Sequence, residues 1–163
     1  MVTIVLGSQA ISRRAQRERV HDEARRLRVA LSINLKALRN LYQDNSDSLR
    51  GGRLPLISSR NHINLLRTQL ARLTSLDSPE IEAVMTANIA AERAETGMAI
   101  AGKKVEGVAF TIPADAAARA ILMTTLRETC SALAAAEDLL NPPAMPGREA
   151  LSAVPSVRGL AAA

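Results

Sequence analysis

Few side chains in this chain are equipped for chemistry. The only cysteine is Cys130 and the only histidines are His21 and His62, so a nucleophilic site would need Cys130 or a serine beside one of two histidines. Neither histidine stands in a nucleophile elbow or other signature. His21 lies among Asp22, Glu23 and Arg25 and reads as a solvated titrating side chain. His62 is expected in the first turn of a second helix, also exposed. Cys130 falls in a helical stripe with Leu122, Leu126, Leu133, Ala136 and Leu140, where a small buried hydrophobe is the simpler role.

Metal chemistry finds no better footing. There is no HExxH, CxxC or ExxH pair, and gathering His21, His62 and Cys130 would require three helices to converge. Glu92 and Glu95 share a helical face, Glu80 and Glu82 less closely, and both pairs read as solvated carboxylates, whereas acid and base work needs burial. Gly97, Gly102 and Gly107 stand five residues apart with no GK[ST], which is no phosphate loop. The expectation is a protein that is not an enzyme, with no catalytic residue, cofactor or metal site.

What remains is charge. Seven arginines stand between positions 13 and 28, while residues 1 to 60 carry 12 basic and 5 acidic groups against 9 and 11 in the remainder. The surplus belongs to the N-terminal part. Arg13, Arg14, Arg17, Arg25 and Arg28 are the candidate contacts for a membrane surface or for phosphate. Ahead of them MVTIVLG is apolar, and apolar followed by basic is the order of a helix leaving a bilayer on its cytoplasmic side. It is the reverse of a secretory signal. The same residues also read as a short strand or tail before a solvated helix. Nucleic acid ranks second as a partner: the arginines suit phosphates, but Glu18, Asp22 and Glu23 interleave with them, no aromatic side chain stands nearby and no helix-turn-helix pattern is present.

These residues must be positioned by helices. With Tyr42 and Phe110 the only aromatics in 163 residues, and no tryptophan, a core has to be built from aliphatic and small side chains on closely packed helices. The pattern predicts an all-α fold, a three- to four-helix bundle with a long N-terminal helix and a flexible C-terminal tail. Residues 1–19 form an apolar then basic arm, 20–141 the bundle and 142–163 a tail rich in proline and alanine. In the first helix Val20, Ala24, Leu27, Leu31, Leu38 and Leu41 make a seam interrupted at Asn34, and a buried Asn there would either fix register or bond a neighbouring backbone. Seven residues back from Val20 and Ala24 the seam meets Arg13 and Arg17. Burying unpaired charge is costly, so the turns before about residue 20 are expected to project beyond the bundle, and the helix offers a route to a homo-oligomer.

The turn formers of DNSDSLRGGRLP predict that this helix stops near Tyr42 to Asn45. Ser58 or Ser59 would cap a second helix with Ile63, Leu66, Leu70 and Leu73 on its face. Asp77, Pro79 and Glu80 would start a third, burying Ile81, Val84, Met85, Ile89 and Met98. GKKVEGVAFTIP reads as fraying helix followed by a connector, with a fourth helix capped by Thr111, carrying Pro113 and Asp115 in its first turn and running to about Leu140.

The N-terminal quarter, an apolar end, an RRxxR run and then ARRLRVALSINLKALRNLY, resembles uncharacterised bacterial single-span membrane-anchored helical proteins. The resemblance identifies no catalytic residues; the single cysteine, unremarkable for a reducing compartment, suggests a cytoplasmic location, at the membrane face or away from it. Only MVTIVLG of the expected span is present, which implies either peripheral contact or further apolar sequence upstream.

Overall fold

The computed structural model describes residues 3–52, 55–105, 109–112 and 115–141, with side chains described from residue 14 onward apart from Lys104. Four helices pack against one another: α1 (Thr3–Arg50), α2 (Arg60–Leu70), α3 (Ser78–Ala101) and α4 (Ala116–Leu140). Helix α4 lies along both α1 and α3, while the short α2 bridges α1 and α3 on the other side. The expected tail 142–163 lies outside the described residues.

The long first helix is the spine, and its 48 residues span about 72 Å at about 1.5 Å per residue. Its inward face is Ala24, Leu27, Leu31, Asn34, Leu35, Leu38, Tyr42, Asn45, Ser46 and Leu49. Two details depart from the expected seam. Tyr42, fully buried, takes the inward place assigned to Leu41, which is only partly covered. Val20 is 54% exposed, so the core begins at Ala24. The last cover on α1 is the 3-10 turn Leu73–Ser75, beyond which no described element follows the helix outward.

The predicted stop near Tyr42 to Asn45 does not occur. The turn formers there are turned inward and used for tertiary bonds: Asn45 Nδ2 donates to the Ile57 carbonyl and Asn45 Oδ1 accepts from the Ile57 amide, both at 2.8 Å. A side-chain amide thus pairs with a backbone as a neighbouring strand would. The helix ends instead at the glycine pair, where the Gly51 amide bonds the Asp47 carbonyl at 2.9 Å and Gly52 adopts φ +68°, a left-handed conformation suited to glycine.

Helix α3 starts as predicted, on an Asp77 to Glu80 capping box with Pro79 in the first turn. Its buried side is not the expected one. Val84 and Met98 are buried, but Met85 and Ile89 are 40% and 48% exposed, and Ala87, Ala91 and Ala94 face inward. Small residues are what a helix packed between neighbours on several sides requires.

The stretch expected to be fraying helix and connector is ordered differently. Helix α3 continues through Gly97 to Ala101, and β2 (Lys103–Val105) and β3 (Ala109–Thr111) then pair antiparallel. A two-residue β1 (Leu56–Ile57) adds to the other edge of β3, giving the order β1-β3-β2. Phe110, Leu56 and Ile112, all buried, close this end of the core. The cap of α4 is Asp115 rather than Thr111, which ends β3: the Asp115 carboxylate accepts from the amides of Ala117 and Ala118, so the helix starts one turn later than expected.

Candidate functional site

A single uninterrupted helix from Thr3 to Arg50 fixes the angular position of every arginine on the arm. At about 100° per residue, Arg14, Arg17, His21, Arg25 and Arg28 fall on one face, because they follow one another at intervals of 3, 4, 4 and 3. Arg14, Arg17, His21 and Arg25 are exposed. This basic stripe lies about a quarter-turn from the buried seam and extends about 17 Å from Arg14 to Arg25. Arg14 donates through Nε to Glu18 Oε1 at 3.2 Å, a solvent-exposed pair one turn along the same helix. Arg13 belongs to α1, with its side chain outside the described set.

Arg28 stands apart from the exposed members. Its Nε and Nη2 donate to both carboxylate oxygens of Glu80, at 2.7 and 2.9 Å, and Asp77 lies 3.6 Å from Nη2. Glu80 also accepts the Asp77 amide at 3.0 Å, so the same carboxylate caps α3. The Arg28 hydrogen bonds hold the Glu80 carboxyl below the usual carboxylate range despite its burial, and Glu80 in turn raises Arg28. Glu80 is therefore not the solvated carboxylate expected, and Arg28 fastens the foot of the arm to α3. A second tie is Arg72, whose Nη2 donates to Glu23 at 3.0 Å. Above these two, no ion pair or side-chain hydrogen bond among the described residues ties the arm to the bundle.

Of the residues weighed for catalysis, Cys130 and the His62 backbone enter the packing, while His21 is exposed on the arm. Cys130 is half-buried, its Sγ directed at the Arg39 carbonyl at 3.8 Å, and burial pushes the thiol up. His62 offers its backbone carbonyl to Asn34 Nδ2 at 3.3 Å, which realises the backbone-bonding alternative for Asn34. Among the described residues no group of three or more His, Cys, Asp or Glu gathers as metal ligands.

One cluster was not foreseen. Glu92 is partly exposed and paired with Arg67 at 3.0 Å, but Glu95 is buried, 8% exposed, contrary to the solvated reading. It accepts from the hydroxyls of Ser58 and Ser59 and from the Ser59 amide, the last two at 2.8 Å. The Ser59 hydroxyl also lies 2.6 Å from that of Tyr42, which donates to the Ala91 carbonyl at 2.8 Å. Burial drives the Tyr42 phenol above its ordinary range. Ser59 is fully buried with no histidine in its hydrogen bonds, and the network joins α1 and α3 to the start of α2. Its only sequence signal was the helical spacing of Glu95, which did not distinguish it from a surface carboxylate.

No family model, curated protein or solved structure matches the chain. Among the described residues no helix is long and apolar enough to cross a membrane.

Proposed function

We propose that this chain is a non-enzymatic helical scaffold that associates peripherally with a membrane surface through the arm of α1. The observation that carries this reading is the continuation of α1 for 21 residues beyond the point where the core begins, Thr3 to Glu23, with Arg14, Arg17 and Arg25 on one exposed face. An extension of that length has no tertiary packing along most of its turns, and packing supplies most helical stability. A helix with an apolar start and a basic face gains that missing support by lying in the interface of an anionic bilayer. The bundle, with its polar groups spent on internal ties, serves to hold the arm.

The test is vesicle co-sedimentation of the full chain at two salt concentrations, on anionic and on neutral lipid. Salt-sensitive binding to anionic vesicles, lost in a triple Arg14→Glu, Arg17→Glu, Arg25→Glu variant, is the expected result. Equal recovery on both lipids, or no binding to either, overturns the reading. Tighter salt-dependent binding to duplex DNA or RNA would replace it with the nucleic-acid alternative.

A further inference from the structure

We infer that α1 pairs with α1 of a second copy, antiparallel, about a two-fold axis at Asp22. The inference rests on the reading of α1 as the interaction element and names its partner. Opposite the buried seam, α1 carries a second stripe that nothing in the bundle covers. Ala15, Glu18, Asp22, Arg26, Val29 and Ile33 follow one another at intervals of 3, 4, 4, 3 and 4. In the sequence Ile11 precedes Ala15 by four and completes the series. Val29 and Ile33 are 52% and 67% exposed.

This series reads the same in both directions about residue 22. Positions 33 and 11 are both isoleucine, 29 and 15 are valine and alanine, and 26 and 18 are arginine and glutamate. An antiparallel second copy centred on residue 22 therefore sets Val29 against Ala15 and Arg26 against Glu18 on both sides of the axis, with Asp22 meeting its own copy on it. Such charge complementarity flanking an apolar contact is what fixes register and orientation between paired helices. A parallel copy in register would set Glu18, Asp22 and Arg26 each against its own kind, three repulsive contacts where the antiparallel pair has one, at Asp22, and two attractive ones. Arg26 enters no ion pair among the described residues, and Glu18 is held only by its exposed pair with Arg14 at 3.2 Å, a contact weak enough to exchange for the partner's Arg26. The occupant is thus a second copy of this chain.

The experiment is site-directed thiol cross-linking of the full chain in a Cys130→Ser background, with sedimentation to measure the dimer. Asp22→Cys stands on the axis and is expected to cross-link to itself with a short bis-maleimide. Asn40→Cys lies on the same face, about 27 Å further along at about 1.5 Å per residue, and its counterpart sits as far away on the opposite side. It is expected not to link. Linkage at both positions would mean a parallel pair, and linkage at neither, with a monomer by sedimentation, would mean no pair. Either result overturns the inference. Arg26→Glu is expected to weaken the dimer about tenfold or more, and Glu18→Arg with Arg26→Glu to restore it. Circular dichroism on each variant verifies the fold. A monomer that still binds anionic vesicles refutes the pairing and leaves the membrane reading intact. A cross-linked dimer without vesicle binding does the reverse.

Discussion

The tie between Arg28 and Glu80 sets where the arm leaves the bundle, and removing it should be measurable in stability. The pair is bidentate, at 2.7 and 2.9 Å, with the Arg28 side chain 26% and the Glu80 side chain 10% exposed. Charge-assisted bonds of this kind contribute about 1.5 to 3 kcal/mol net. Glu80→Ala also strips the acceptor from the Asp77 amide, a further loss of about 1 kcal/mol at a helix start, so about 2.5 to 4 kcal/mol in all is expected. Arg28→Ala leaves a largely buried carboxylate without its cation and should cost about 2 to 3 kcal/mol. In a double-mutant cycle by urea unfolding, the coupling should be about 1.5 to 3 kcal/mol. Glu80 has its folded pKa depressed, chiefly by the Arg28 hydrogen bonds. Its stabilisation is therefore fully present above the unfolded carboxylate range and is lost as pH falls through the folded value. The stability gap between the wild type and Glu80→Gln should be constant near neutrality and narrow in acid. A coupling under about 0.5 kcal/mol, the size of an exposed pair, or a gap that widens on acidification, would refute the reasoning.

Three further outcomes follow from the core. Tyr42→Phe leaves the Ala91 carbonyl without its donor while Ser59 keeps Glu95, so urea unfolding should show a loss of about 1 to 2 kcal/mol. Gly102→Ala would bring a Cβ to 2.8 Å from Ile112 Cδ1, 2.9 Å from the Thr111 carbonyl and 3.0 Å from the Met98 carbonyl. Two of these are backbone atoms, and a loss of about 1 to 3 kcal/mol with a lower Tm is expected. Because burial raises the Cys130 thiol, its reaction with a disulfide reagent at mildly alkaline pH should accelerate more than about tenfold when denaturant is added.

The helices were legible because their signals are local. The 3-4 spacing of Ala24, Leu27 and Leu31, the Asp77, Pro79 and Glu80 start and the Leu122 to Leu140 stripe each carry their meaning within a few turns, and the corresponding burial agrees. What escaped reading depends on partners far along the chain. Asn45 and Ser46 look like turn residues until Ile57 is seen accepting and donating to Asn45. Glu95 looks solvated until Ser58 and Ser59 reach it from the turn that leads into α2. Ala87, Ala91 and Ala94 carry too little apolar surface to outrank Met85 and Ile89 in a pattern, yet closeness of packing selects them. The sheet was hidden for a similar reason: strands of two and three residues hold too few alternations to register. Of the basic stripe, the face was readable and the loss of Arg28 to Glu80 was not, since its partner lies 52 residues away.

The basic stripe and the pairing stripe lie on different sides of α1, and the symmetry of the pair decides how they combine. In the proposed antiparallel pair the two-fold axis is perpendicular to both helices and to the plane containing them. Rotation about that axis leaves a face turned toward one side of the plane on that same side. Both arginine stripes would then point the same way, whereas a parallel pair, whose axis runs along the helices, would turn them to opposite sides. A dimer thus presents Arg14, Arg17 and Arg25 twice toward one surface. At about 1 kcal/mol for each basic residue near an anionic leaflet, the second set adds about 3 kcal/mol, a gain on the order of 100-fold in affinity. Ile33→Glu removes no positive charge and alters a side chain that is 67% exposed, so the bundle should fold normally. It should nevertheless weaken vesicle binding on the order of 100-fold, more than the added negative charge alone explains. An Ile33→Gln variant, which changes no charge, should lose binding in proportion to its loss of dimer. Vesicle affinity that stays constant while the dimer dissociates would mean that each stripe acts alone.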